Sequence, residues 1–338
     1  MKLKELAAHL GLSPTTVSRA LAGYSDVSPI TRARVEQVAR EVGYQPNRAA
    51  RQVAMGRADA VGIIYSPASE FLGNTSFLEM LEGVAHTLEL INCDLLLAAA
   101  PRRNELDAYR RMVSSSRVDA MLVAHTLCSD PRIDYLCASG FPFVAYGRTQ
   151  NCDGYAWFDF DNALGSQLAV RRLVELGHRR IAYVHAPLEY NFAHQRHAGY
   201  LEGLQAAGLA PDPRMILGGS LNRRAGYQAA QELLALSPRP TAVVVDNNIG
   251  GVGFLRALLD AGLRIGHDMS IIVNEGVPED TLFSTLSVAA IMQPTPYESG
   301  LTMGQMLLTM IERKPLPSAT VMRNPILREG NTIGPPAD

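Results

Sequence analysis

Three short blocks of apolar residues at helical spacing open the chain. Leu3, Leu6, Ala7 and Leu10 make one face, Val17, Ala20 and Leu21 a second, and Val35, Val38, Ala39 and Val42 a third. Gly11 separates the first two, and Gly43 ends the third. Ser13-Pro14 and Ser28-Pro29 each put a capping hydroxyl before a proline at the first helical position. The pattern predicts helix, tight turn, helix, loop, helix, the plan of a helix-turn-helix module. From Ala60 the period changes. Apolar runs such as "AVGIIY", "DLLLAA", "DAMLVA", "FPFVAY", "RIAYVH", "TAVVVD" and "SIIV" alternate with amphipathic stretches at 75–91, 105–115, 162–176, 223–236 and 249–261. Continuous apolar strands alternating with helices predict parallel sheets covered on both faces, with ligands at the strands' carboxyl ends.

Charge separates the two regions further. The net charge of −2 hides nine Lys/Arg against four acids in residues 1–58, a balance of +5 that leaves −7 on the rest. A basic head on an acidic body predicts that the head alone meets a polyanion. Its second helix offers Thr15, Thr16, Ser18 and Arg19, small or hydrogen-bonding groups suited to the major groove, with Arg19 able to fork onto a guanine edge. No apolar run reaches the ~18 residues of a membrane span, and "MKLKELAAHLGLSP" lacks a signal peptide's apolar core. Cys93, Cys128, Cys137 and Cys152 show neither C-x-x-C pairing nor metal-ligand spacing. A cytoplasmic protein with reduced thiols, no cofactor and no metal is expected.

The stretch "PNRAARQVAMGR", 46–57, is basic, Ala-rich and about two helical turns long. Isolated helices below roughly 12–15 residues are marginal in water, so it needs a partner.

The head "TVSRAL … VSPITRARV … GYQPNRAA" resembles that of LacI/GalR-type transcriptional regulators, with Ala22 where the family usually has asparagine. The resemblance places Pro14, Thr15 and Arg19 at base-reading positions and Thr16, Ser18, Ser28 and Thr31 at phosphate positions. It makes 47–59 a hinge that turns helical on operator DNA, counted from Asn47. Val53 then stands at the wedge position that usually holds leucine, Ala50 at the groove floor, and Arg48 and Arg51 near phosphates. A valine wedge predicts a shallower kink or a weaker preference at the central base step.

"RRLVELGHRRIAYVHAPLEYNFAHQRHAGYLEGLQAAGL" and "PTAVVVDNNIGGVGFLRALLDAGLRIGHDMSIIV" extend the resemblance over nearly the whole chain. It implies an α/β body of two lobes similar to sugar-binding periplasmic proteins, with an effector between them. The implied plan is a head at 1–46, a hinge at 47–59 and a body at 60–338. Lobe one would take about 60–160 and 292–319, and lobe two 161–291 and 320–332. By the same carry-over Arg196 is the effector-binding arginine, with an ion pair stabilising a lobe as its competing role. Asn247, Asp161 and Gln293 would join it in the cleft, with Asn74, Ser76, Phe77 and Arg148 from lobe one.

Two departures alter the cleft. "VNEG" stands where the family commonly reads Gly-aromatic-Asp-Asp, which puts Asn274 and Glu275 there, and the aromatic floor aligns with Leu221, leaving stacking to Phe192 or Phe77. These polar groups suit a carbohydrate, with a purine or a phosphorylated sugar as alternatives.

An enzyme or a cytosolic sugar- or nucleotide-binding protein with an unrelated basic head is the rival reading. It finds no G-x-G-x-x-G, G-x-S-x-G or P-loop, and "NIGGVG" is spaced for close helix packing instead. The expectation is an operator-binding repressor, a homodimer because one head reads few base pairs and the C-terminus has no leucine heptads.

Overall fold

The computed structural model describes residues 1–21, 24, 26–44, 57–66, 75–277 and 286–337. Contacts divide it into two units, 1–59 and 60–338.

The first unit holds α1 (Leu3–Leu10), α2 (Pro14–Leu21) and α3 (Pro29–Glu41) around a small core of Leu6, Leu10, Val17, Ala20 and Val35. Its turns follow the local chemistry. Gly11 takes φ +65° beyond α1, a backbone region open to glycine at little cost. The Ser13 hydroxyl accepts from Thr16 N at 3.0 Å and the Ser28 hydroxyl from Thr31 N at 3.2 Å.

The second unit contains two six-stranded sheets. Lobe one uses β1 (Ala60–Tyr65), β2 (Asp94–Ala99), β3 (Ala120–Val123), β4 (Phe143–Tyr146), β5 (Ala156–Phe160) and β11 (Thr320–Arg323), in the order β11-β5-β4-β3-β1-β2, all parallel. Lobe two uses β6 (Ile181–His185), β7 (Ile216–Gly218), β8 (Ala242–Val245), β9 (Ser270–Asn274), β10 (Ala289–Met292) and β12 (Ile326–Arg328), ordered β12-β10-β9-β8-β6-β7, with only β12 antiparallel. Strand order reverses beside β1 in one sheet and β6 in the other, and ligand sites open at such points.

Helices cover the faces. α4 (Thr75–Glu89), α5 (Glu105–Ser114), α6 (Pro131–Ser139) and α11 (Pro296–Ile311) belong to lobe one; α7 (Asn162–Glu175), α8 (Asn191–Ala206), α9 (Arg223–Leu234) and α10 (Asn248–Asp260) belong to lobe two. Val61, Ile63, Leu122, Val144 and Met303 are buried in the first core; Val184, Val243, Phe254 and Ile271 are buried in the second.

The chain passes between lobes at 161, at 293–295 and at 324–325. The last differs from the expectation that lobe two resumes at 320. Thr320–Arg323 pairs with β5 as the edge of the first sheet, and only Ile326–Arg328 reaches the second. Both strands are short and largely exposed, so neither carries an apolar run.

Candidate functional site

On the head, Pro14, Thr15, Ser18 and Arg19 of α2 are exposed, whereas Val17 and Ala20 face the core. Arg19 is held before any ligand arrives. Its guanidinium pairs with Asp26 at 2.6 Å and lies over the Tyr24 ring at 4.9 Å. The Thr16 and Thr31 hydroxyls lie 2.8 Å from those of Ser13 and Ser28, so they are engaged in the helix caps. Asn47, Arg48, Ala50, Arg51 and Val53 lie outside the described residues.

In the body a cavity of about 740 Å³, counting the part open to solvent, lies between the lobes at the carboxyl ends of their strands. Volumes of roughly 300–1,000 Å³ are usual for small-molecule sites. Ser76, Phe77, Phe192, Arg196, Asn247, Glu275 and Gln293, all expected from the sequence, line it together.

Arg196 organises the floor. It is 3% exposed, and every nitrogen has a protein acceptor: Nε donates to Asn162 Oδ1 at 2.9 Å, Nη1 to the Asp246 carbonyl, and Nη2 to Glu275 Oε1 at 3.1 Å. A guanidinium carries five N–H donors, so two remain for a ligand. Burial works against its charge, but Glu275 and Asp246 outweigh that and hold its pKa above the ordinary value. The ring of Phe192 lies 5.0 Å from the guanidinium carbon.

The network continues into lobe one. Asn162 Nδ2 donates to Asp159 Oδ1 at 3.2 Å, and Asp159 pairs with Arg148 at 2.6 Å. Burial pushes the Asp159 carboxyl up despite Arg148 beside it. A polar chain Arg148–Asp159–Asn162–Arg196–Glu275 therefore spans the first passage between lobes. Asn247 caps α10 through Oδ1, which accepts from Ile249 N at 2.9 Å, and so presents its amide nitrogen to the cavity.

Four expected residues sit elsewhere. Arg148 does not line the cavity because its side chain is committed to Asp159 and lies over Trp157, 5.6 Å from the ring centroid. Asp161 caps α7, its carboxylate accepting from Leu164 N at 3.0 Å. Asn274 is buried within β9. Leu221 lines a neighbouring cavity instead. Asn74 lies outside the described residues.

Sequence reasoning missed His125, Thr126, Tyr146, Gly147, Asp159, Phe160 and Asn162. The signal was present, since each lies at or just beyond the carboxyl end of β3, β4 or β5. Two wall residues, His125 at φ +53° and Glu275 at φ +67°, hold left-handed backbone that costs a non-glycine residue energy. Burial, with Arg132 and Arg102 nearby, pushes the His125 imidazole down to about 3, so it is neutral. No cluster of metal-ligating side chains occurs among the described residues.

Two family models match the chain. One, for bacterial regulatory proteins of the lacI family, covers residues 2–47; the other, for periplasmic binding proteins and the sugar binding domain of the LacI family, covers 58–324. The HTH-type transcriptional regulator RafR of Escherichia coli is 39% identical over 338 residues, all of both chains. The HTH-type regulator AglR of Rhizobium meliloti (strain 1021) is 37% identical over 82% of this chain and 78% of its own. Among solved structures, the complex of the transcriptional regulator CelR with cellobiose is 27% identical at a TM-score of 0.73, covering 98% of this chain and 99% of that one. No described helix is long and apolar enough to cross a membrane. With its helix-turn-helix head and two-lobed ligand-binding body, the chain belongs to the LacI family of bacterial transcriptional regulators.

Proposed function

We propose that this regulator is a cytoplasmic homodimer that represses transcription from a near-palindromic operator and responds to a carbohydrate held between its lobes. The observation that carries the effector reading is the floor of the cleft. Two unused donors on Arg196, the free amide of Asn247 and the carboxylate of Glu275 face a space walled by Phe77, Phe160 and Phe192. Planar polar groups beside aromatic faces match a sugar ring, which presents hydroxyls around its edge and C–H groups on its faces. The cellobiose bound by CelR, a relative of the same fold, supports this ligand class.

On the head, Pro14, Thr15 and Arg19 are assigned to base edges, and Thr16, Ser18, Ser28 and Thr31 to phosphates. Asn47, Arg48, Ala50, Arg51 and Val53 are assigned to the hinge. The protein acts by binding alone.

A thermal-shift screen of the purified protein against neutral sugars, sugar phosphates and purines tests the effector. A ligand at 100 times its dissociation constant adds roughly 2.7 kcal/mol of stability. Stabilisation by a neutral sugar is expected; stabilisation by purines and by no sugar would sink the proposal. Light scattering should give the mass of two subunits, with a four-subunit mass contradicting the dimer.

A further inference from the structure

The cleft has a second chamber. A space of about 990 Å³, again counting the part open to solvent, is lined from lobe one by Tyr65, Arg102, Glu105 and Arg132 and from lobe two by Tyr190 and Leu221. It meets the first chamber at His125, which lines both. The His125 ring lies 5.8 Å from Phe77 in one chamber and 6.4 Å from Tyr190 in the other. This wall is fixed, since Arg132 Nη2 donates to the His125 carbonyl at 3.0 Å.

Every arginine named in the two chambers already faces a carboxylate. Arg132 pairs with Glu105 and with Asp130, each at 2.6 Å, and Arg102 with Glu189 at 2.8 Å. In the first chamber Arg196 is matched by Glu275, and the wall carboxylate Asp159 by Arg148 behind it. An anion entering either space would have to compete with a carboxylate for each guanidinium, whereas hydroxyls can donate to the acids and accept from the arginines without changing the charge. The Tyr190 ring is stacked on Phe192 at 5.7 Å between centroids, with Arg102 over Tyr190 and Arg196 over Phe192, each at 5.0 Å. A row of guanidinium donors and ring edges therefore runs from one chamber to the next.

We infer that the effector is an uncharged oligosaccharide with at least one ring in each chamber and the linkage between them against His125. This rests on the carbohydrate reading and narrows it, excluding a monosaccharide or a sugar phosphate as the best ligand.

Isothermal titration of the full chain tests it. The probes are glucose and galactose, neutral di- and trisaccharides built from them with α and β linkages, and glucose 6-phosphate. At least one longer neutral sugar should bind about tenfold or more tightly than either monosaccharide. Leu127→Trp, which narrows the second chamber, should remove that advantage and leave monosaccharide affinity unchanged. Arg102→Ala, at a half-exposed position of the same chamber, should weaken only the longer sugar and guards against misfolding of the first variant. A monosaccharide binding as tightly as every longer sugar, or glucose 6-phosphate binding more tightly than the neutral sugars, would overturn the inference while leaving a carbohydrate effector standing. Heat from none of the sugars would bring down the carbohydrate reading itself.

Discussion

His125 and Arg196 show what single residues contribute to this cleft. The His125 imidazole is held near 3 by burial, while the unfolded chain titrates near the ordinary 6.5. Between those values the unfolded state binds the extra proton, so stability rises with pH through the window and is lost on acidification. Going from pH 7 to pH 5, the wild type should lose roughly 2 kcal/mol more than a His125→Gln variant. Urea denaturation of both proteins at the two pH values checks this, and equal losses would mean the imidazole is solvated. Arg196 makes the opposite point about charge. Its guanidinium is buried and shared among Asn162, Asp246 and Glu275, so Arg196→Ala strands a carboxylate in a low-dielectric floor. Breaking a buried pair costs about 3–5 kcal/mol. The variant should lose its effector response and also fall in urea midpoint; an unchanged midpoint would show that the network adds no stability. The sequence alone offered ligand binding and ion pairing as competing roles for this arginine; the structure shows the ion pair with Glu275, and the proposed ligand role falls to the two donors left over.

At the level of elements, close helix packing dictates several glycines. A Cβ on Gly83 of α4 would strike the Tyr297 carbonyl of α11, and one on Gly300 would strike the Met80 carbonyl. In lobe two, a Cβ on Gly250 would meet the Ser220 backbone, one on Gly253 the Arg223 backbone, and one on Gly251 the side chain of Val273. The spacing of "NIGGVG" had pointed to that packing. Gly83→Ala should therefore destabilise by about 1–3 kcal/mol through overpacking, despite alanine's better helix propensity. A midpoint that rises in denaturant would show that the two helices can move apart. The apolar runs revealed β1, β2, β3, β4, β6, β8 and β9, but β5, whose run is broken by Asp159, and the three- or four-residue strands β7, β10, β11 and β12 escaped. Asp161 was legible in principle. An aspartate directly before a predicted helix is a cap first, and the aspartate that lines the cavity is Asp159, two residues earlier in β5. Arg148 was misplaced because its ion pair with Asp159 is a contact between strands, which periodicity does not encode. Arg196 and Asn247 were found through family resemblance, since they meet only through the fold of lobe two.

Across the whole molecule, the chain Arg148–Asp159–Asn162–Arg196–Glu275 makes the floor of the cleft part of the connection between lobes. The loops at 126–128 and 189–191 join the lobes a second time, with Cys128 N donating to the Glu189 carbonyl at 2.9 Å and Asn191 N to the Thr126 carbonyl at 3.0 Å. A ligand that touches the floor on both sides has different interaction energies in different lobe arrangements, and only such a difference can shift an equilibrium. The surplus of positive charge in residues 1–58 assigns DNA contact to that region, so an effect of the proposed sugar on the operator is a coupling between sites. Coupling free energies are reciprocal. If the sugar weakens operator binding by some factor, within the usual range of about 5–150-fold, operator DNA must weaken sugar binding by the same factor. Titrating the sugar into free and operator-saturated protein, and the operator with and without saturating sugar, gives the two factors independently. Equal factors are expected. Unequal ones would break the thermodynamic cycle, which happens only if the sugar meets a third species, such as a dissociated subunit, and would shift the site of control from the cleft to the dimer.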